Sequence, residues 1–179
     1  MSKSIVELWR EAVGQGLPEG ARLLVVDVAQ QTLTLVNDGQ QEAIYPVSTS
    51  KNGLGHQLDS FRTPTGWHEI VDRYGEGEPA GRVFFEREPT ERILPETEWS
   101  TDLQDDLIMT RILHLSGLEH GVNRGGSVDT FERYVYIHGA NHEHQLGQPA
   151  SHGCIHVGNR EIIELFDRLK GSAAWCWIG

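Results

Sequence analysis

The stretch from Tyr136 to Val157, YIHGANHEHQLGQPASHGCIHV, holds five of the chain's nine histidines and one of its two cysteines. A thiol attacks a carbonyl carbon once an imidazole takes its proton, and an imidazole close to the sulfur is expected to lower the thiol pKa. Cys154 is the candidate nucleophile and His138 the candidate base. Gly153, directly before the cysteine, has no side chain, so the backbone there can approach a substrate and turn its N–H groups inward. Amides aimed at a developing oxyanion contribute roughly 3–4 kcal/mol each to the transition state, as much as the base itself.

Other readings of the same residues are weaker. A lone cysteine is most often buried and inert, which suits Cys176 between Trp175 and Trp177. A disulfide joining the two cysteines would need an oxidising compartment. His142 and His144, with His138, His152 and Cys154, could in principle supply zinc ligands, but the spacing fits a thiol–imidazole pair better than any zinc pattern. Arg62, Arg111, Arg124 and Arg160 are candidates for holding substrate carboxylates, with Arg111 and Arg124 foremost. Ser151 and His156, flanking the nucleophile, are further substrate-binding candidates.

The elements that must position these residues read as one mainly β domain over 1–179 with a few short helices. An N-terminal helix within 1–20 is predicted by Ile5, Leu8, Trp9, Ala12 and Val13 at helical spacing, stopped by Gly14, Gly16 and Pro18. RLLVVDV, QTLTLVN and EAIYPVSTS then predict a strand meander, a loop follows over 51–65, and GWHEIV resumes an extended pattern. The polar stretch 72–106, with Pro79, Pro89 and Pro95, predicts a surface excursion. LIMTRILHL and RYVYIHG predict two more strands, and a last helix is expected from Asn159 as its N-cap to Gly171 as its stop. A formal charge of -11 speaks against a nucleic-acid footprint.

His138-Gly139 and Ser151-His152-Gly153-Cys154-Ile155, with Cys154 sixteen residues after His138, resemble the signature of the L,D-transpeptidase (YkuD-type) family. LLVVDVAQQTLTLV, YPVSTS and the Thr63-Pro64-Thr65-Gly66 stretch resemble its opening strands and Thr-Pro-x-Gly segment, so most of the chain outside 72–106 is covered. The resemblance implies an L,D-transpeptidase-like β-sandwich or barrel and no cofactor. It also implies that the Gly139 carbonyl orients His138, and that the amides of His152, Gly153 and Cys154 receive the oxyanion. The implied substrate is the tetrapeptide stem of a peptidoglycan muropeptide, cut between the L-centre of meso-diaminopimelate and D-alanine. Two positions depart from the family pattern: Ala140 stands where Thr or Ser is common, and His156 where Arg commonly stands. A titratable imidazole in place of a guanidinium alters the charge near the site.

The first thirty residues carry charges throughout and no secretory-leader pattern, and no stretch approaches 18 apolar residues. Taken from Met1, the expectation is a cytoplasmic protein without a membrane anchor. There the accessible stems are recycled muropeptides and the acceptor is water, which makes the expected activity L,D-carboxypeptidase. The alternatives are an L,D-transpeptidase that crosslinks peptidoglycan or exchanges D-amino acids, an inactive muropeptide-binding relative, and a cysteine peptidase of ordinary L,L-peptides.

Overall fold

A computed structural model describes residues 3–101 and 105–179. Ten strands form its sheet: β1 (Arg22–Asp27), β2 (Thr32–Asn37), β3 (Gln40–Ser48), β4 (Gly66–Tyr74), β5 (Arg82–Phe85), β6 (Glu88–Ile93), β7 (Ile108–Gly117), β8 (Tyr136–Gly139), β9 (Ile155–Val157) and β10 (Ala174–Ile178). Two helices accompany them, α1 (Ile5–Gln15) and α2 (Asn159–Arg168). The strand order is β4-β10-β1-β2-β3-β9-β8-β7-β5-β6, and β4 also pairs with β7. That extra pairing closes eight strands into a ring, which removes exposed sheet edges there, and leaves the β5–β6 hairpin hanging from β7. The protein is mainly β, as its residue pattern predicts.

Period-two alternation builds two cores on opposite faces of the same strands. Leu24 and Val26 of β1 join Leu33, Leu35, Ile137, Ile155, the α2 side chains Ile162, Leu165 and Phe166, and Leu169 just after α2. Leu23 and Val25 face the other way, onto Leu8 and Ala12 of α1 and onto Trp67. Ser4 and Glu7 form a reciprocal capping box at the start of α1, and Gly16, at φ 104°, ends it in the left-handed conformation. Among the described residues no helix is long and apolar enough to cross a membrane.

Two sequence expectations are corrected. Asn159 is not the N-cap of α2 but its first residue, fully buried; Gly158 occupies the cap position and donates no side chain to it. The Glu143 carboxylate does that work from outside, accepting the Asn159 N–H at 2.6 Å. Within 72–106, the expected surface excursion contains the end of β4 and the β5–β6 hairpin, turned at Glu86 and Arg87 with φ 45° and 74°. Its Val83, Leu94 and Trp99 bury against Met109 of β7. Only a few apolar residues stand among many charges here, enough to cover one face of a hairpin but too sparse to read as core.

Candidate active site

Three neighbouring strands carry the site. β8 and β9 run parallel with His138 opposite His156 and Ile137 opposite Ile155. β7 lies on the other side of β8, with Ile112 opposite His138 and His114 opposite Tyr136. Alternation along the strands then puts Tyr136, His138, Cys154 and His156 on one face, with His138 a diagonal step from Cys154. The Tyr136 N–H donates to Cys154 Sγ at 3.4 Å, and the thiol points to the Tyr134 carbonyl at 3.6 Å. The His138 ring lies edge-on to His156 at 4.9 Å between centroids.

His138 Nδ1 is 2.7 Å from the Gly139 carbonyl oxygen. A carbonyl only accepts, so Nδ1 carries the proton and Nε2 keeps the lone pair. Gly139 has no room for a side chain: a Cβ would meet Asn159 Oδ1 at 2.4 Å and the Met109 carbonyl oxygen at 2.9 Å. That asparagine is a node the sequence does not announce. Its amide donates to the Ala140 carbonyl, its Oδ1 accepts from Thr110 Oγ1 at 2.5 Å, and Thr110 Oγ1 in turn accepts the Gly81 N–H. Thr110 sits at φ 70°, an uncommon conformation for a β-branched residue, in the irregular part of β7. Hairpin, helix and candidate base are thus tied together behind His138.

Charge balance corrects the expected thiol. Burial, followed by the neighbouring His156, pushes the His138 pKa down to about 4, against the opposite pull of Asp106 and the Gly139 carbonyl. Burial pushes Cys154 up to about 12, which the Tyr136 N–H bond and the Arg133 charge do not offset and which Asp106 reinforces. The resting pair is therefore a neutral thiol and a neutral imidazole, because packing around the sulfur outweighs the nearby donors.

The turn before β9 is braced from the 50–63 segment. Gly153, at φ 123°, accepts a hydrogen bond from Thr63 Oγ1 at 3.0 Å on its carbonyl. Its N–H donates to Ser151 Oγ at 3.3 Å, and Ser151 Oγ donates to the Cys154 carbonyl at 2.5 Å. Ser151, a substrate-binding candidate from sequence, is fully buried inside this turn. His156 is likewise buried, its Nε2 3.1 Å from Asp106 Oδ1. Arg111 donates to the Glu78 and Thr110 carbonyls and lies over the Phe166 ring, so it supports the fold instead of the site. Arg124 is exposed, near Asp129 in the loop after β7, and Arg160 pairs with Glu96.

Two clefts meet at Tyr134. One of about 280 Å³ is lined by Leu58, Phe61, Glu132, Arg133, His152 and Cys154 among others. The other, about 480 Å³, is walled by Phe85, Arg87, Asp106, Tyr134 and Tyr136. Arg133 and Asp106 escaped the sequence reading. Arg133 holds the 55–62 loop through the Gly55 and Arg62 carbonyls at 3.3 and 2.7 Å, and its only sequence signal is its place just ahead of YIHG. Among the described residues, no three His, Cys, Asp or Glu side chains are grouped to hold a metal ion.

Residues 21–174 match the family model for YkuD, the L,D-transpeptidase catalytic domain. No curated protein matches the chain. Among solved structures, an L,D-transpeptidase from Mycobacterium smegmatis aligns at 19% identity with a TM-score of 0.50, covering 88% of this chain and 58% of that one. The L,D-transpeptidase (residues 123–326) from Xylanimonas cellulosilytica aligns at 19% identity and TM-score 0.52, covering 95% and 68%. L,D-transpeptidase 3 from Mycobacterium tuberculosis aligns at 14% identity and TM-score 0.53, covering 89% and 61%. At such identities the likeness shows a shared fold, and this chain spans 58% of the first of those structures.

Proposed function

Since the chain belongs to the L,D-transpeptidase catalytic domain family, we propose that it is a cysteine acyl-transfer enzyme acting on peptidoglycan stem tetrapeptides, with water as acceptor: an L,D-carboxypeptidase. The observation that carries this reading is His138 with its proton held on Nδ1 by the Gly139 carbonyl and its ring on the same strand face as Cys154. A turn about the Cys154 Cα–Cβ bond takes the thiol from the Tyr134 carbonyl toward His138 Nε2, which accepts its proton. Sγ then attacks the carbonyl of the L-centre of meso-diaminopimelate. With the Gly153 N–H already turned onto Ser151, the amides of His152 and Cys154 are the donors for the oxyanion. The imidazolium returns its proton to the amine of departing D-alanine, leaving a thioester. His138 next removes a proton from water, whose oxygen displaces Sγ and frees the tripeptide carboxylate, and the imidazolium returns that proton to the departing sulfur.

Water as acceptor is supported by a half-buried Cys154 lining an accessible cleft. A second reading has an observation of its own. Asp59 and Glu132 also line that cleft, and their carboxylates would attract an amine acceptor, which favours transpeptidation. The test is mass spectrometry of products from a muramyl tetrapeptide, with and without excess D-methionine, beside a Cys154→Ala control. Tripeptide and free D-alanine dominating even with D-methionine present supports the carboxypeptidase. An exchanged tetrapeptide supports transpeptidation, and binding without turnover would leave a silent relative.

A further inference from the structure

We propose that Asp106 is a positioning residue for this acyl transfer, a single carboxylate that clasps both flanks of the nucleophile and sets a negative charge beside the base. The inference rests on the reading of Cys154 as nucleophile. Asp106 enters from the segment just ahead of β7. Its Oδ2 hydrogen-bonds to His152 Nδ1 at 2.8 Å, and its Oδ1 lies 3.1 Å from His156 Nε2, within ion-pair reach but off hydrogen-bond alignment. These histidines stand two residues before and two residues after Cys154. The His152 side chain is 47% exposed, and this hydrogen bond fixes its ring beside the nucleophile. His156 is buried and meets the His138 ring edge-on, so the second arm of the clasp reaches the base through one imidazole.

The charged and titratable groups that face Asp106 are His138, His152, His156 and Cys154, with Arg87 on the wall of the same cleft. Burial works to protonate the carboxyl, yet its contact with His156, the nearby His138 imidazole and the His152 hydrogen bond hold it well below the usual carboxylate range. It stays ionised wherever the enzyme works. As His138 takes the thiol proton, positive charge develops on the imidazole, and the carboxylate stabilises that charge only once the step is under way. Its loss should therefore appear in kcat and leave KM alone.

The test compares Asp106→Asn with wild type. The amide preserves shape and one hydrogen bond but removes the charge. Expected are a fall in kcat of about tenfold or more with KM little changed, and an acid limb displaced to lower pH, since the carboxylate raises the pKa of His138. Iodoacetamide labelling of Cys154, followed by peptide mass, should be unchanged or faster, because Asp106 also raises the thiol pKa. Asp106→Glu should restore part of kcat. Wild-type kcat with an unmoved acid limb in Asp106→Asn overturns the proposal, as does a loss carried by KM alone. Should that variant not fold, His152→Gln cuts the exposed arm of the clasp, and a wild-type kcat there is equally fatal. Turnover retained by Cys154→Ala would instead overturn the nucleophile reading on which the inference stands.

Discussion

In the proposed mechanism His138 starts as a neutral base, pushed down to about 4 by burial, and Cys154 as a neutral thiol, pushed up to about 12. A base that is already unprotonated across the ordinary range needs no activation by pH. The acid limb of kcat/KM is therefore expected close to pH 4 to 5, well under the ordinary imidazole value of about 6.5, with a broad plateau above it; rates measured from pH 3.5 to 9 decide this. A limb near 6.5 would mean that burial does not hold the ring neutral. Removing the base by His138→Gln is expected to lower kcat by about 10²–10⁴-fold, while Cys154 labelling at pH 9 persists. Uncoupling turnover from labelling in this way separates loss of proton transfer from collapse of the site.

The elements around these residues matter through contacts that are short and hard to relax. Gly139 is the clearest case, because β8 passes Asn159 and Met109 with no space for a methyl group. Gly139→Ala is expected to cost about 1–3 kcal/mol of stability and most of the activity, since the shift displaces the carbonyl that fixes the His138 tautomer; urea titration and a turnover assay read both. The β5–β6 hairpin depends on a small core of its own, in which Trp99 is buried and donates its Nε1–H to the Leu94 carbonyl. Trp99→Ala is expected to cost about 3–5 kcal/mol, again read by urea titration. Because Asp106 follows this segment, kcat should fall with it.

For the whole molecule, the buried histidines set a pH dependence of folding. His138 and His68 are each pushed by burial to about 4, and burial also lowers His114. Unfolded, each would titrate near 6.5, so between about pH 6.5 and 4 the unfolded chain binds more protons than the folded one. Stability is then fully present above pH 6.5 and lost as pH falls toward 4. His138 and His68 each account for at most roughly 3 kcal/mol, and Asp106, its carboxylate held down by its histidines, adds a loss at still lower pH. Urea midpoints at pH 7.5 and 4.5 are expected to differ clearly, the acid one lower. Equal midpoints would show that these imidazoles reach solvent.

Local patterns were legible in the chain alone. The step from His138 to the Ser-His-Gly-Cys run offers a candidate nucleophile and a candidate base, period two marks the central strands, and the helical stripe with its glycine stop marks α1, because each signal is carried by residues close in sequence. What stayed hidden depends on distant residues meeting. Asp106 reaches His152 and His156 from the segment ahead of β7, Arg133 becomes part of the cleft wall by holding the 55–62 loop, and Ser151 and Arg111 turn inward to brace backbone instead of substrate. The direction of the Cys154 and His138 pKa shifts belongs to the same class. Burial is set by whatever packs over a group, and no residue spacing records it; only the closed sheet decides which charges end up dry and which face one another.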